Sequence, residues 1–128
     1  MRHILLVEDD SGDVLLVHAA IRAASVDADV IIADDGEQAD RLLEDNQPDL
    51  IVLDLNIPKL SGFQLLDKIR TRKGPPTFIL TSSMNPADER RARELGARDY
   101  LVKPTRFDAF IATVGAAIER WIETVTAK

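Results

Sequence analysis

Five short runs set the limits of what this chain can fold into: His3–Val7 (HILLV), Asp29–Ala33 (DVIIA), Leu50–Asp54 (LIVLD), Thr77–Thr81 (TFILT) and Asp99–Val102 (DYLV). Each is rich in Val, Ile and Leu and is apolar continuously rather than alternately. A strand wetted on one side alternates apolar and polar residues, whereas a strand covered on both sides does not. The pattern therefore predicts a parallel sheet buried between two layers of helices.

The segments between the runs carry helix signals. Asp34 or Asp35 caps a helix over Gly36–Asn46 that Pro48 stops, and Asp10 caps one around Asp13–Ile21. Ser61 precedes a stripe of Phe63, Leu66 and Ile69. Asn85 stands before Pro86, a residue tolerated at the first helical position because the missing N–H has no intrahelical partner there. Gly96 ends that helix. Thr105 and Asp108 form a capping-box pattern. It precedes a long stripe of Phe107, Phe110, Ile111, Val114, Ile118, Trp121, Ile122 and Val125. The expectation is an α/β domain over residues 1–128 made of five βα units, doubly wound around a five-stranded parallel sheet because crossovers are right-handed.

Composition removes several functions. The chain has no cysteine, so disulfides, zinc–thiolate centres and thiol nucleophiles are excluded. No apolar run reaches the ~18 residues of a membrane span, and Glu8 arrives too early for a signal peptide, so a cytoplasmic protein without membrane contact is expected. A net charge of −6 argues against direct nucleic-acid binding, which needs clustered positive charge. His3 and His18 lack a spacing that would suit a metal.

Ligands of open parallel sheets sit beyond the carboxyl ends of the strands. There the sequence places Glu8, Asp9 and Asp10 after the first run, Asp54 at the end of the third, Thr81 at the end of the fourth and Lys103 after the fifth. Carboxylates on adjacent strands repel, and a hard divalent cation relieves the repulsion; Mg²⁺ suits one or two carboxylates completed by water and phosphate oxygens. Lys103 adds one fixed positive charge and Thr81 a hydroxyl. A carboxylate beside such a cradle can act as a phosphoryl acceptor.

These residues, together with Gly62 and the Tyr100–Pro104 segment (YLVKP), resemble the receiver domains of two-component response regulators over nearly the whole chain. The resemblance implies a flavodoxin-like sheet of strand order 2-1-3-4-5. It implies that a histidine kinase or a phosphotransfer protein phosphorylates Asp54, with Glu8, Asp9, Asp54 and the backbone carbonyl of Asn56 holding Mg²⁺. Lys103 would contact the phosphoryl group, and its bond to Pro104 would be cis. Thr81 would move toward the phosphoryl group and let Tyr100 turn inward, remodelling the face of the fourth helix, fifth strand and fifth helix for an unknown downstream protein. Asn56 and Ser83 would tune hydrolysis. Catalysis would extend only to the domain's own phosphoryl transfer and hydrolysis, with no output domain after the fifth helix and a monomer or homodimer as the assembly.

The chain departs from many such domains in three places. Glu8 stands where an aspartate is common, Leu55 replaces a tryptophan that some members carry, and the stretch from Arg70 to Pro76 is a short connection that would alter one edge of the site. The sparsely apolar fourth helix, anchored by Ala92 and Leu95, is expected to be loosely held, and an apolar edge near Trp121 and Ile122 is a candidate contact. Among rival folds, a flavodoxin would need a Ser/Thr/Gly-rich phosphate loop where this chain has three acids. A haloacid-dehalogenase-like phosphatase would need a second acid where this chain has Asn56. A pseudo-receiver would need the acidic, hydroxyl or lysine positions to be broken, and they are intact.

Overall fold

The first strand, β1 (Arg2–Val7), shows why the runs are continuously apolar. In this computed structural model, which describes residues 2–126, Ile4 and Leu6 point into one core and Leu5 and Val7 into another. The same division holds for β3 (Leu50–Leu53), with Leu50 and Val52 on one side and Ile51 and Leu53 on the other. It holds again for β4 (Thr77–Thr81), where Phe78 and Leu80 oppose Ile79. Successive side chains of a strand leave opposite faces, so a strand inside two cores must be apolar at every position.

Strands β2 (Ala28–Ala33) and β5 (Asp99–Val102) complete a five-stranded parallel sheet of order β2-β1-β3-β4-β5. They form its edges and are only partly buried, so burial on both faces holds for the three central strands alone. Helices α1 (Ser11–Ala23) and α5 (Phe107–Thr126) cover one face through Val17, Ala20, Phe110, Val114 and Ile118. Helices α2 (Gly36–Asp45), α3 (Gly62–Thr71) and α4 (Pro86–Glu94) cover the other through Ala39, Leu65, Leu66, Ile69 and Ala92. Among the described residues no helix is long and apolar enough to cross a membrane.

The helix starts follow the local chemistry. Asp10 accepts from the Asp13 N–H, Asp35 from that of Gln38 and Asn85 from that of Ala87. Ser61 and Gln64 exchange the reciprocal bonds of a capping box. Gly96, with φ of 98°, ends α4 in the left-handed region.

Four expectations are corrected. The Thr105–Asp108 box does not form: α5 begins at Phe107, and the Asp108 carboxylate instead accepts from the Ala109 N–H and from Arg106. Phe107 lies off the buried stripe and is 66% exposed. The Lys103–Pro104 bond is trans, as are all described peptide bonds, the trans form being the lower one even before proline. The short connection from Arg70 to Pro76 leads into the amino end of β4, so it lies at the opposite end of the sheet from the strand ends that carry the acids.

Candidate phosphoacceptor site

The strand order reverses direction at β1, which lies between β2 and β3. Val7 pairs with Leu53, so the residues that follow, Glu8 and Asp54, leave the sheet side by side. Their backbones stay in the ladder: the Asp54 N–H donates to Val7 O at 3.1 Å and the Glu8 N–H to Ala33 O at 3.0 Å. Both side chains are nearly covered, with Glu8 3% and Asp54 5% exposed, while Asp9 faces solvent. One carboxylate oxygen from each of Glu8, Asp9 and Asp54 lies within 4.8 Å of the others. Hard oxygen donors at that spacing, with surplus negative charge, fit a divalent cation such as Mg²⁺.

Lys103 enters from the edge strand. Its N–H donates to Thr81 O at 2.7 Å, which fixes the chain just past β5. Its ammonium reaches Glu8 Oε1 at 2.6 Å, Asp54 Oδ2 at 2.8 Å and Asp13 Oδ2 at 2.6 Å. Three carboxylates around a half-buried ammonium hold its pKa above the usual lysine range, so it stays charged. Burial, helped by the charge of Asp54, pushes Glu8 up to about 7 even though Lys103 pulls the other way.

The Asn56 N–H donates to Asp54 Oδ1 at 3.0 Å, so the turn after β3 orients the Asp54 carboxylate and keeps the Asn56 backbone beside it. The Asn56 side chain is exposed. Gly62 lies against the same turn: a Cβ there would stand 2.5 Å from the Leu55 Cα.

Thr81 is fully buried, and its hydroxyl accepts from the Ser83 N–H at 3.4 Å. The Ser83 hydroxyl donates to Asp88 Oδ2 at 2.6 Å. Tyr100 is turned inward, 8% exposed, and its hydroxyl donates to Ser83 O at 3.0 Å. Burial pushes the Tyr100 hydroxyl pKa up.

Each expected residue therefore lies at one end of the sheet: Glu8, Asp9, Asp54 and Lys103 in one side-chain cluster, Asn56 beside Asp54, and Thr81 and Tyr100 joined through Ser83. Asp13 was not anticipated. It occupies the first turn of α1, and its partner Lys103 is 90 residues away.

A model of the response regulator receiver domain matches residues 4–115 of the chain. The chain belongs to the response regulator receiver domain family. It is 35% identical to the response regulator Rcp1 of Synechocystis over 133 residues, which cover 96% of this chain and 90% of Rcp1. It is 37% identical to the transcriptional regulatory protein PhoP of Bacillus subtilis over 93% of this chain but 49% of PhoP. The chain thus spans nearly all of Rcp1 and about half of PhoP.

Two solved structures share the fold. The Mn²⁺-bound form of Rcp1 has a TM-score of 0.88 at 32% identity, covering 97% of this chain and 96% of that one. The phosphorylated cyanobacterial phytochrome response regulator RcpA has a TM-score of 0.89 at 31% identity, covering 96% and 95%. This receiver domain is a signalling module of the two-component class, homologous to regulators that are phosphorylated and that bind divalent metal.

The other contact surfaces are more covered than the sequence suggests. Ile122 is buried, and the Trp121 indole N–H donates to Asp99 Oδ2 at 3.2 Å with the Arg120 guanidinium over its ring. Asp99 also pairs with Arg120 at 2.6 Å and with Arg93 of α4 at 3.8 Å. On α4, Arg91 lies 4.2 Å from the Phe63 ring centroid.

Proposed function

We propose that Asp54 is the phosphoacceptor of this receiver. The observation that carries the reading is the nearly buried Asp54 carboxylate, held at the end of β3 by the Asn56 N–H and Lys103 and flanked by Glu8 and Asp9. A carboxylate oxygen of Asp54 attacks the phosphorus of a phosphohistidine on a histidine kinase or phosphotransfer protein. The P–N bond breaks and the imidazole regains a proton.

Glu8, Asp9, Asp54 and the Asn56 carbonyl would hold Mg²⁺, which would offset charge on the transferring oxygens when bound. Lys103 meets a phosphoryl oxygen, and Thr81 supplies a hydroxyl. Ser83 and Asn56 set the approach of the hydrolytic water. The change reaches α4, β5 and α5 through Thr81, Ser83 and Tyr100, and a protein partner reads that face. The domain, residues 1–128, works in the cytoplasm as a monomer or homodimer, without nucleic-acid contact, and catalyses only its own phosphoryl transfer and hydrolysis. Met1, Ala127 and Lys128 lie outside the described residues.

The test is intact mass after incubation with acetyl phosphate and Mg²⁺. Wild type gains one phosphoryl group, a chelator prevents the gain, and Asp54→Asn gains none. A phosphoryl group on Asp54→Asn would overturn the assignment.

A further inference from the structure

One carboxylate of the pocket stands outside the metal set. Asp13 Oδ2 lies 2.6 Å from the Lys103 ammonium, and its side chain is only 25% exposed. Yet Glu8, Asp9 and Asp54 form the group that converges for a cation, without Asp13. An ammonium has three protons to donate, and here each has a carboxylate. Two of those three partners, Glu8 and Asp54, are the ones a divalent cation must take.

The repulsion between that cation and the ammonium is relieved when Lys103 loosens its hold on the shared carboxylates. Asp13 is the partner that leaves it an ion pair to keep. We propose that Asp13 is a positioning residue: it retains the Lys103 ammonium when Glu8 and Asp54 engage a divalent cation, strengthens cation binding, and keeps the ammonium near the acceptor. The inference rests on the metal reading above.

An acid in the first turn of α1 also favours the helix dipole, and any negative charge near the pocket attracts cations through space. Neither role depends on Lys103, so a double-mutant cycle separates them from the proposed one. Mg²⁺ is titrated calorimetrically at fixed salt into wild type, Asp13→Asn, Lys103→Ala and the double variant.

Asp13→Asn should weaken Mg²⁺ binding about tenfold, the scale of a lost charge-assisted hydrogen bond. With Lys103→Ala already present it should change affinity less than about threefold, and Asp13→Glu should restore most of the loss. Asp13→Ser repeats the measurement if the amide variant melts early. Equal losses with and without Lys103, or no loss at all, would overturn the role of Asp13 while leaving the metal site standing. A wild-type protein that binds no Mg²⁺ would remove the metal reading and this inference together.

Discussion

The hydroxyl of Tyr100 donates to the backbone carbonyl of Ser83 at 3.0 Å, joining the edge strand β5 to the loop that starts α4. Ser83 in turn donates its hydroxyl to Asp88 in the first turn of α4 and offers its N–H to Thr81. One short loop residue thus connects the buried threonine at the site, the inward aromatic ring and helix α4.

Tyr100→Phe removes the hydroxyl and leaves the ring. The loss of one hydrogen bond at a nearly buried position should cost about 0.5–1.5 kcal/mol in urea unfolding. Amide exchange over residues 83–88 should quicken, because the loop loses its tie to β5. Unchanged exchange in that segment would show that the hydroxyl does not hold α4.

Glu8 predicts how the metal-free domain responds to pH. Burial raises its folded pKa from an ordinary 4.5 to about 7. Its contribution to stability is therefore complete below about pH 4.5 and is lost as pH rises through about 7, because the unfolded chain ionises first. Urea titrations between those limits should show this decline in wild type and a flatter profile in Glu8→Gln. Mg²⁺ binding should show the opposite trend and tighten as pH rises toward 7, since the cation needs the ionised carboxylate.

Gly62→Ala tests how the turn after β3 is held. The new Cβ would meet the Leu55 Cα at 2.5 Å and the Asp54 carbonyl oxygen at 3.0 Å, both of them backbone atoms with little room to move. Overpacking of this kind costs about 1–3 kcal/mol. Mg²⁺ affinity should fall as well, because the displaced backbone carries Asp54. A variant that keeps wild-type stability and affinity would show that α3 can shift away freely.

The strands were legible because short, continuously apolar runs rich in Val, Ile and Leu leave few alternatives. The sequence runs beginning at His3 and Asp29 lie within strands that start one residue earlier, at Arg2 and Ala28. The acids, Thr81 and Lys103 were legible because each adjoins the end of such a run. Asp13 was not, since its position in α1 looks like an ordinary first-turn acid and its partner is remote in sequence. The start of α5 is less legible: Thr105 and Asp108 match a cap pattern, yet Asp108 accepts from Arg106 and from the Ala109 N–H instead. The partial burial of β2 and β5 depends on strand order, which no single run encodes.

Asp99 gives the domain an optical use. The chain has a single tryptophan, and Asp99 binds its indole N–H while pairing with Arg93 on α4 and Arg120 on α5. Indole emission responds to the charge beside the ring, so a rearrangement that shifts Asp99 or Arg120 relative to Trp121 should change the protein's own fluorescence. The edge formed by β5 and α5 thus carries an intrinsic gauge. It would let movement at that edge be followed in unlabelled protein.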